Sequence, residues 1–255
     1  MPNGSRSSLK ASLVVVLACA AVVWGCSPIP ELGEATAEDA YIVGVEALER
    51  EDYLLAIEAF KHVTVSSPLS DWADDALIGL GDAHRAISDY ALAEEDYRRV
   101  LSDYPRSPLV PEALYKLGLS YYDQSLPAEL DQSMTLEAID QLERFTETYP
   151  DSDFVPEARE KIVELRARLA EKAYGAAMLY RRLGDPKAAR VYLEVIVEDY
   201  PDTRWARRSL LEIARSYATE GAAAKASEAY DRLIERYPGT EEAAAAELEK
   251  AGPAP

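Results

Sequence analysis

Apolar positions recur along this chain with the period of a helix that buries one face, and no stretch alternates with the period of two that a strand needs. The helical runs are broken in one repeated way. "LSDYPRSP", "TETYPDSD", "VEDYPDTR" and "IERYPGTE" are variants of a single phrase, and "VSSPLSD" is a worn first copy. Each ends a helical run, places a proline, and two residues later a Ser or Thr.

The recurring prolines, Pro68, Pro105, Pro150, Pro201 and Pro238, serve as a ruler; their spacings are 37, 45, 51 and 37 residues. Twelve residues before each lies an alanine: Ala56, Ala93, Ala138, Ala189 and Ala226. Eight before lies a large residue: Phe60, Tyr97, Leu142, Leu193 and Tyr230. A small residue stands further back in every unit, at Gly44, Gly81, Gly118, Ala177 and Ala214. Three residues after it come Tyr121, Tyr180 and Tyr217, with Ala47 and His84 as departures. A period of 20–50 residues marks a solenoid or an array.

Two antiparallel helices approach closely only where one offers Gly or Ala, so Gly81 and Ala93 predict a crossing with Leu80, Tyr97 and Leu101 filling its flanks. Proline cannot continue a helix and restricts the residue before it. Ser70, Ser107, Ser152, Thr203 and Thr240 are therefore expected to cap the helix that follows. Pro111 and Pro156 are tolerated only in a first turn, which sets those helix starts a few residues later.

This register resembles the tetratricopeptide repeat, over nearly all of residues 38–250. The resemblance implies an all-α solenoid of about five helical hairpins in a right-handed superhelix. The repeats are read as about 38–68, 70–105, 107–150, 153–201 and 203–238, followed by a short capping helix and a disordered tail at 251–255. The 45-residue spacing exceeds the 37-residue one by eight, which fall in "DQSLPAELDQSM", between the helices of the third unit. The 51-residue spacing exceeds it by 14, close to four turns. These fall in "PEAREKIVELRARLAEKAYGAAMLYRRL", read as one long helix, or as a separate helix and a short turn.

The first residues change the picture of where the chain resides. "MPNGSRSSLK" is polar and positive, and "ASLVVVLACAAVVWG" is an uncharged apolar run too short to span a bilayer but suited to a signal peptide. Val23, Trp24, Gly25 and Cys26 resemble a bacterial lipoprotein lipobox. The resemblance implies residues 1–25 as a signal peptide cleaved after Gly25, and lipid attachment at Cys26. Residues 26–37 become a lipidated tether, and Ser27 after the cysteine implies the periplasmic face of the outer membrane. Cys19, in "VLAC", is a rival lipobox that would leave an apolar mature terminus; an uncleaved anchor is the further alternative. With Cys26 acylated the mature chain keeps no free cysteine, so neither a disulfide framework nor thiol catalysis is expected.

The net charge is −19; the first 26 residues contribute Arg6, Lys10 and no acid, leaving −21 on the remainder. So acidic a body repels phosphate backbones, and nucleic acid is not an expected partner. His62 and His84 belong to no metal motif, no HExxH, GxSxG or P-loop occurs, and "GLGD" lies mid-helix as a packing notch. The inventory assembles no catalytic centre and implies no metal or cofactor. The chain reads as a scaffold.

Stacked repeats leave a concave groove that binds polypeptide segments. By the tetratricopeptide template the first helices line it, which brings Tyr41, Val45, Ile78, Asp82, Arg85, Tyr115, Leu119, Tyr122 and Asp123 forward as peptide-groove candidates, or as packing between repeats. A lipoprotein signal, a Pro-bearing tether, five repeats, an insert in the third and "RLAEKAYGAAMLYRRLGDPKAARVYLEVIVEDYPDT" together resemble the lipid-anchored assembly factors of outer-membrane β-barrels. That family implies docking on the POTRA domains of the β-barrel insertase, contact with other assembly lipoproteins, and capture of C-terminal segments of unfolded outer-membrane proteins. Arg181, Arg182, Arg190 and Trp205 are the docking candidates, the arginines flanking the fourth hairpin turn of an acidic chain. Alternatively they are solvated surface arginines and a helix-start staple. The competing identity is another envelope repeat scaffold, coordinating cell division with the Tol-Pal system or adapting peptidoglycan hydrolases; its usual coiled-coil N-terminus is not seen here.

Overall fold

The computed structural model describes residues 32–252. Cys19, Gly25 and Cys26, the start of the predicted tether and the last three residues of the predicted tail lie outside them. Every regular element among the described residues is helical: a 3₁₀ turn at Leu32–Glu34 and eleven α-helices. α1 (Ala37–Glu49) and α2 (Tyr53–Ser66) form the first hairpin, α3 (Ala73–Ala86) and α4 (Tyr90–Asp103) the second. α5 (Val110–Gln124) and α6 (Ser133–Thr148) form the third, α7 (Val155–Arg182) and α8 (Pro186–Asp199) the fourth. α9 (Arg204–Thr219) and α10 (Ala223–Arg236) form the fifth, and α11 (Glu241–Ala251) closes the end. Each helix packs on the next, and first helices of adjacent hairpins touch at α1–α3, α5–α7 and α7–α9. The chain is an α-solenoid.

The small residues are where the ruler put them, facing the large ones. A Cβ on Gly44 would stand 2.5 Å from the Phe60 ring, one on Gly81 2.5 Å from Tyr97, and one on Gly118 2.7 Å from Leu142. Ala177 and Ala214 are fully buried at the same place in the last two hairpins. Gly79 grips Phe60 from the other side, again at 2.5 Å, so this ring is clamped between two glycines of successive first helices.

Four of the five hairpin turns share a device that the proline ruler does not reveal. Glu51, Ser88, Gly184 and Gly221 all adopt positive φ, between 58° and 79°. The next N–H then reaches back to the carbonyl of Ala47, His84, Tyr180 or Tyr217, closing the helix end in the manner of a Schellman motif. Asp52 and Asp185 follow as side-chain caps of α2 and α8.

The joints depart from the expected capping. Only Thr240 caps its helix, accepting the Ala243 N–H. Ser107 and Ser152 instead accept the N–H two residues on, from Leu109 and Phe154, and Thr203 donates to the Tyr200 carbonyl. α3, α5 and α7 start three residues after the serine, with Trp72, Leu109 and Phe154 at the cap position. In all five joints the Ser or Thr N–H is bonded three residues back, to Ser67, Tyr104, Tyr149, Tyr200 or Tyr237, closing a tight turn. After the three serines a second turn follows, Ala73, Val110 and Val155 donating to the Ser70, Ser107 and Ser152 carbonyls, so the helix starts later there. Where the spacing is 37, the tyrosine hydroxyl donates to the proline carbonyl of the preceding joint: Tyr104 to Pro68 at 2.6 Å and Tyr237 to Pro201 at 2.8 Å. Across the longest spacing an arginine bridges instead, Arg166 donating to the Asp199 carbonyl at 2.7 Å and pairing with Asp202.

α7 is a single helix of 28 residues, about 42 Å long at 1.5 Å per residue. Val155, Ala158, Ile162 and Leu165 enter the core of the second and third hairpins, and Ala170 and Ala177 enter that of the fourth and fifth. It is the spine that joins the two cores. The third-hairpin insert is tied to it, Arg168 donating to the Ser125 carbonyl at 3.0 Å and Lys172 to that of Leu130 at 2.5 Å. Gln132 gathers the loop from inside, its amide nitrogen reaching the Pro127 carbonyl at 2.8 Å.

Candidate functional site

Adjacent first helices bring the predicted groove residues of the first three hairpins together, but not all of them to the surface. Ile78, Tyr115 and Leu119 are buried in the core of the second and third hairpins, with Tyr115 stacked on Phe154 at 5.0 Å. They serve as inter-repeat packing, because the next first helix covers that face. Tyr41, Val45, Asp82, Arg85 and Tyr122 remain partly open, and Asp123 is exposed.

Most of the open polar groups are engaged between neighbouring helices. The Asp82 carboxylate accepts from the Tyr97 hydroxyl at 2.7 Å and from Lys116 at 2.5 Å, linking α3, α4 and α5. Arg85 pairs with Asp123 at 2.7 Å, and Tyr122 donates to Glu164 of α7 at 2.6 Å. Burial, and then Asp82, push the Tyr97 hydroxyl far above its ordinary value, so it stays a donor. The N-terminal end of the face differs. Tyr41 stacks on Trp72, centroids 4.9 Å apart, beside Val45. Burial, then Asp75 and Glu112, raise the Tyr41 hydroxyl. Trp72 was not singled out in the sequence; its only signal there is a large aromatic one residue ahead of a helix start.

The docking candidates separate sharply. Arg190 is only 8% exposed: it forms a two-pronged bond to Glu220 at 2.9 and 3.0 Å, donates to Ser216, and lies 4.3 Å over the Tyr217 ring. It is an internal strut between α8 and α9, not a free cation. Trp205 is 7% exposed, packed on Tyr174 beneath Arg204 and Arg208, so it belongs to the core. Arg181 is exposed and paired with Glu212 of α9. Arg182 is exposed and makes no ion pair among the described residues.

The fourth hairpin presents something the sequence reading did not single out. Leu179, Leu183, Val191, Tyr192 and Val195 are all exposed, and Tyr192 stacks on Tyr180 at 5.3 Å. Val191 and Val195 are one turn apart on α8, so they share a face. Arg182 and Lys187 stand at the tip, and Glu194 and Glu198 line the same face as Val191 and Val195 further along α8, so the surface is apolar with charge of both signs around it. A signal existed, since "ARVYLEVIVED" has apolar residues all round rather than on one stripe.

Elsewhere, His84 fills a position where other repeats carry Tyr and bonds Asp96 through Nδ1 at 2.7 Å, both side chains buried. Burial raises the Asp96 carboxyl although His84 opposes that shift. The pair ties α3 to α4. A cleft of about 510 Å³ separates the insert from α7 and the start of α9, with Ser125, Ala128, Arg168 and Arg204 in its walls.

A family model described as YfiO, outer membrane lipoprotein, matches residues 33–231. The chain is also similar to curated proteins named outer membrane protein assembly factor BamD. That of Caulobacter vibrioides is 28% identical over 218 residues, spanning 85% of this chain and 72% of the relative. That of Rickettsia prowazekii is 24% identical, spanning 91% and 92%. Among solved structures, a thermophilic TPR protein of Thermus thermophilus aligns over 85% of this chain and 97% of its own at 17% identity. Its TM-score is 0.38, too low to bear on the hairpin geometry above.

Proposed function

The chain belongs to the outer membrane lipoprotein family YfiO, and from that premise we propose that it is a lipid-anchored periplasmic scaffold of outer-membrane protein assembly. The names of the relatives support the process, and the hairpin stack supports a role in holding polypeptides rather than in transforming them. In this reading residues 1–25 are removed, Cys26 carries the acyl chains, and residues 26–37 tether the repeats beneath the membrane. Two or more chains make such an anchor stable, whereas one is marginal.

The observation that carries the docking half is the exposed face of the fourth hairpin. Val191, Tyr192 and Val195 offer apolar contact, and Arg182 and Lys187 offer charge to a carboxylate-bearing partner. We assign this face to the POTRA domains of the β-barrel insertase, in place of the buried Arg190 and Trp205. The Tyr41–Trp72 end of the groove is the receiving surface for C-terminal segments of unfolded outer-membrane proteins.

A pull-down from solubilised envelope tests the docking. Val191→Glu combined with Val195→Glu is expected to abolish recovery of the barrel insertase while the helical circular dichroism and melting temperature are kept. Undiminished recovery, or recovery only of division or hydrolase proteins by the unsubstituted chain, would overturn it. Mass spectrometry of the mature N-terminus tests the anchor, with an acylated peptide beginning at Cys26 expected and one beginning at Cys19 refuting it.

A further inference from the structure

The five joints are alike in design, yet the first has a different surface. Three residues before the joint proline stand Val65, Ser102, Glu147, Glu198 and Glu235; one residue after it stand Leu69, Arg106, Asp151, Asp202 and Gly239. Only the first joint is aliphatic at both places, and both side chains point to solvent: Val65 is 74% exposed and Leu69 97%. Residues 62–70 contain no Asp, Glu, Lys or Arg, whereas the matching stretch of each of the other four joints contains three. Single exposed leucines are ordinary on a surface. An aliphatic pair on a charge-free tip, at the one joint of five that has it, is not accounted for by packing or by solubility.

The tip also stands where the tether begins. The 3₁₀ turn Leu32–Glu34 packs against α2, and His62 of α2 meets the Ala35 carbonyl at 3.3 Å. His62 and Val65 are three residues apart on that helix, so they are neighbours on its surface. Leu32 is six residue steps on from Cys26, a reach of about 20 Å when fully extended. The part of the solenoid held nearest to an acylated Cys26 is therefore α2 and the joint that follows it.

We propose that the first joint rests on the lipid surface itself, with Val65 and Leu69 entering the interfacial layer of the leaflet that holds the anchor. Such a layer accepts aliphatic side chains and penalises charge, which matches the composition of residues 62–70 and of no other joint. The anchor supplies proximity, so a small apolar contact suffices to bind, as the second of two linked contacts. The contact fixes the first hairpin against the bilayer and projects the groove and the fourth hairpin away from it. It rests on the lipidation reading above only in that the anchor is at Cys26.

The experiment supplies the anchor chemically, so that it does not depend on acylation. A chain starting at Cys26 has this as its single cysteine and is coupled through it to maleimide-headgroup lipid in vesicles of phosphatidylethanolamine and phosphatidylglycerol. In the L69W variant the added fluorescence, measured against the unsubstituted chain, is expected to shift to the blue, to be quenched by brominated lipids and to be shielded from iodide. In the L183W variant, at a distal leucine that is 70% exposed, it is expected to stay red and open to iodide. Iodide-accessible, unquenched fluorescence in L69W, on vesicles shown by flotation to carry the protein, overturns the contact. Equal bromolipid quenching in both variants overturns its location. Acylation at Cys19 in cells would refute the lipidation reading and leave this measurement unaffected.

Discussion

Adding one methyl at Gly81 tests the crossing on which each hairpin depends. A Cβ there stands 2.5, 2.8 and 2.9 Å from three ring atoms of Tyr97, against the 3.5 Å or more of an ordinary carbon contact. About 1 Å of movement is needed, and the ring has little freedom to give it: Tyr97 is fully buried and its hydroxyl is held by Asp82 at 2.7 Å. Overpacking of this kind costs about 1–3 kcal/mol. Gly→Ala in a helix interior returns about 1 kcal/mol, so Gly81→Ala should destabilise by up to about 2 kcal/mol. The control is Gly175→Ala in α7, where a Cβ meets nothing within 4 Å and only the propensity gain remains. The two variants carry the same substitution with opposite expected signs. Thermal melts followed by circular dichroism, with hydrogen exchange to localise the change, measure it, since repeat arrays open in parts. Tyr97→Leu in the Gly81→Ala background should recover part of the loss beyond additivity. Equal stability of the Gly81→Ala and Gly175→Ala variants would refute the close-approach account.

Ser88→Gly should raise stability by roughly 0.5–1 kcal/mol, because Ser88 holds a φ of 64° that glycine adopts without strain; urea denaturation is the assay. Arg190→Ala should cost about 2–3 kcal/mol by removing a buried guanidinium with three side-chain hydrogen bonds. Arg182→Ala should stay within about 0.5 kcal/mol, and matched melts would contradict the split between strut and surface. Arg215 holds the Glu249 carboxyl below its ordinary 4.5, so the contribution of this contact is present above that value and is lost as pH falls through the lowered one. The protection of α11 amides, relative to their intrinsic exchange rates, should therefore fall selectively as pH drops through the lowered value, and Glu249→Gln should show the reduced protection at neutral pH.

Pairings local to a hairpin were legible before any coordinates. The spacing of small and large positions marked Gly81 and Ala93 as a crossing with Tyr97 at its flank. The structure sets Gly81 directly against the Tyr97 ring, and Gly44 against Phe60 and Gly118 against Leu142 repeat that approach, because a hairpin is a short-range object whose register follows from helix period and turn length. The surplus of 14 residues read as one long helix is α7. Pro111 and Pro156 already signalled that α5 and α7 start beyond Ser107 and Ser152, but the "YP-x-S" phrase itself does not distinguish the inside of a tight turn from a helix cap, and the serines do not cap. That difference lies in the second turn that follows Ser70, Ser107 and Ser152 and carries the helix start three residues on.

Exposure was the property that the sequence left undecided. Ile78, Tyr115 and Leu119 occupy groove positions on their own helices, and only the next hairpin, laid across them, turns them into core. Arg190 looks like a free cation in its segment until Glu220, 30 residues away, closes on it. The composition and period of the chain by themselves determined a row of helical hairpins, because the helices, the turn and the register within each hairpin are set by residues close in sequence. Which side chains are left for partners, such as Val191, Tyr192, Val195 and Leu69, was decided by the tertiary structure alone. Solvent access at any position depends on the angle at which one hairpin meets the next, and that angle is set by side chains distant in sequence.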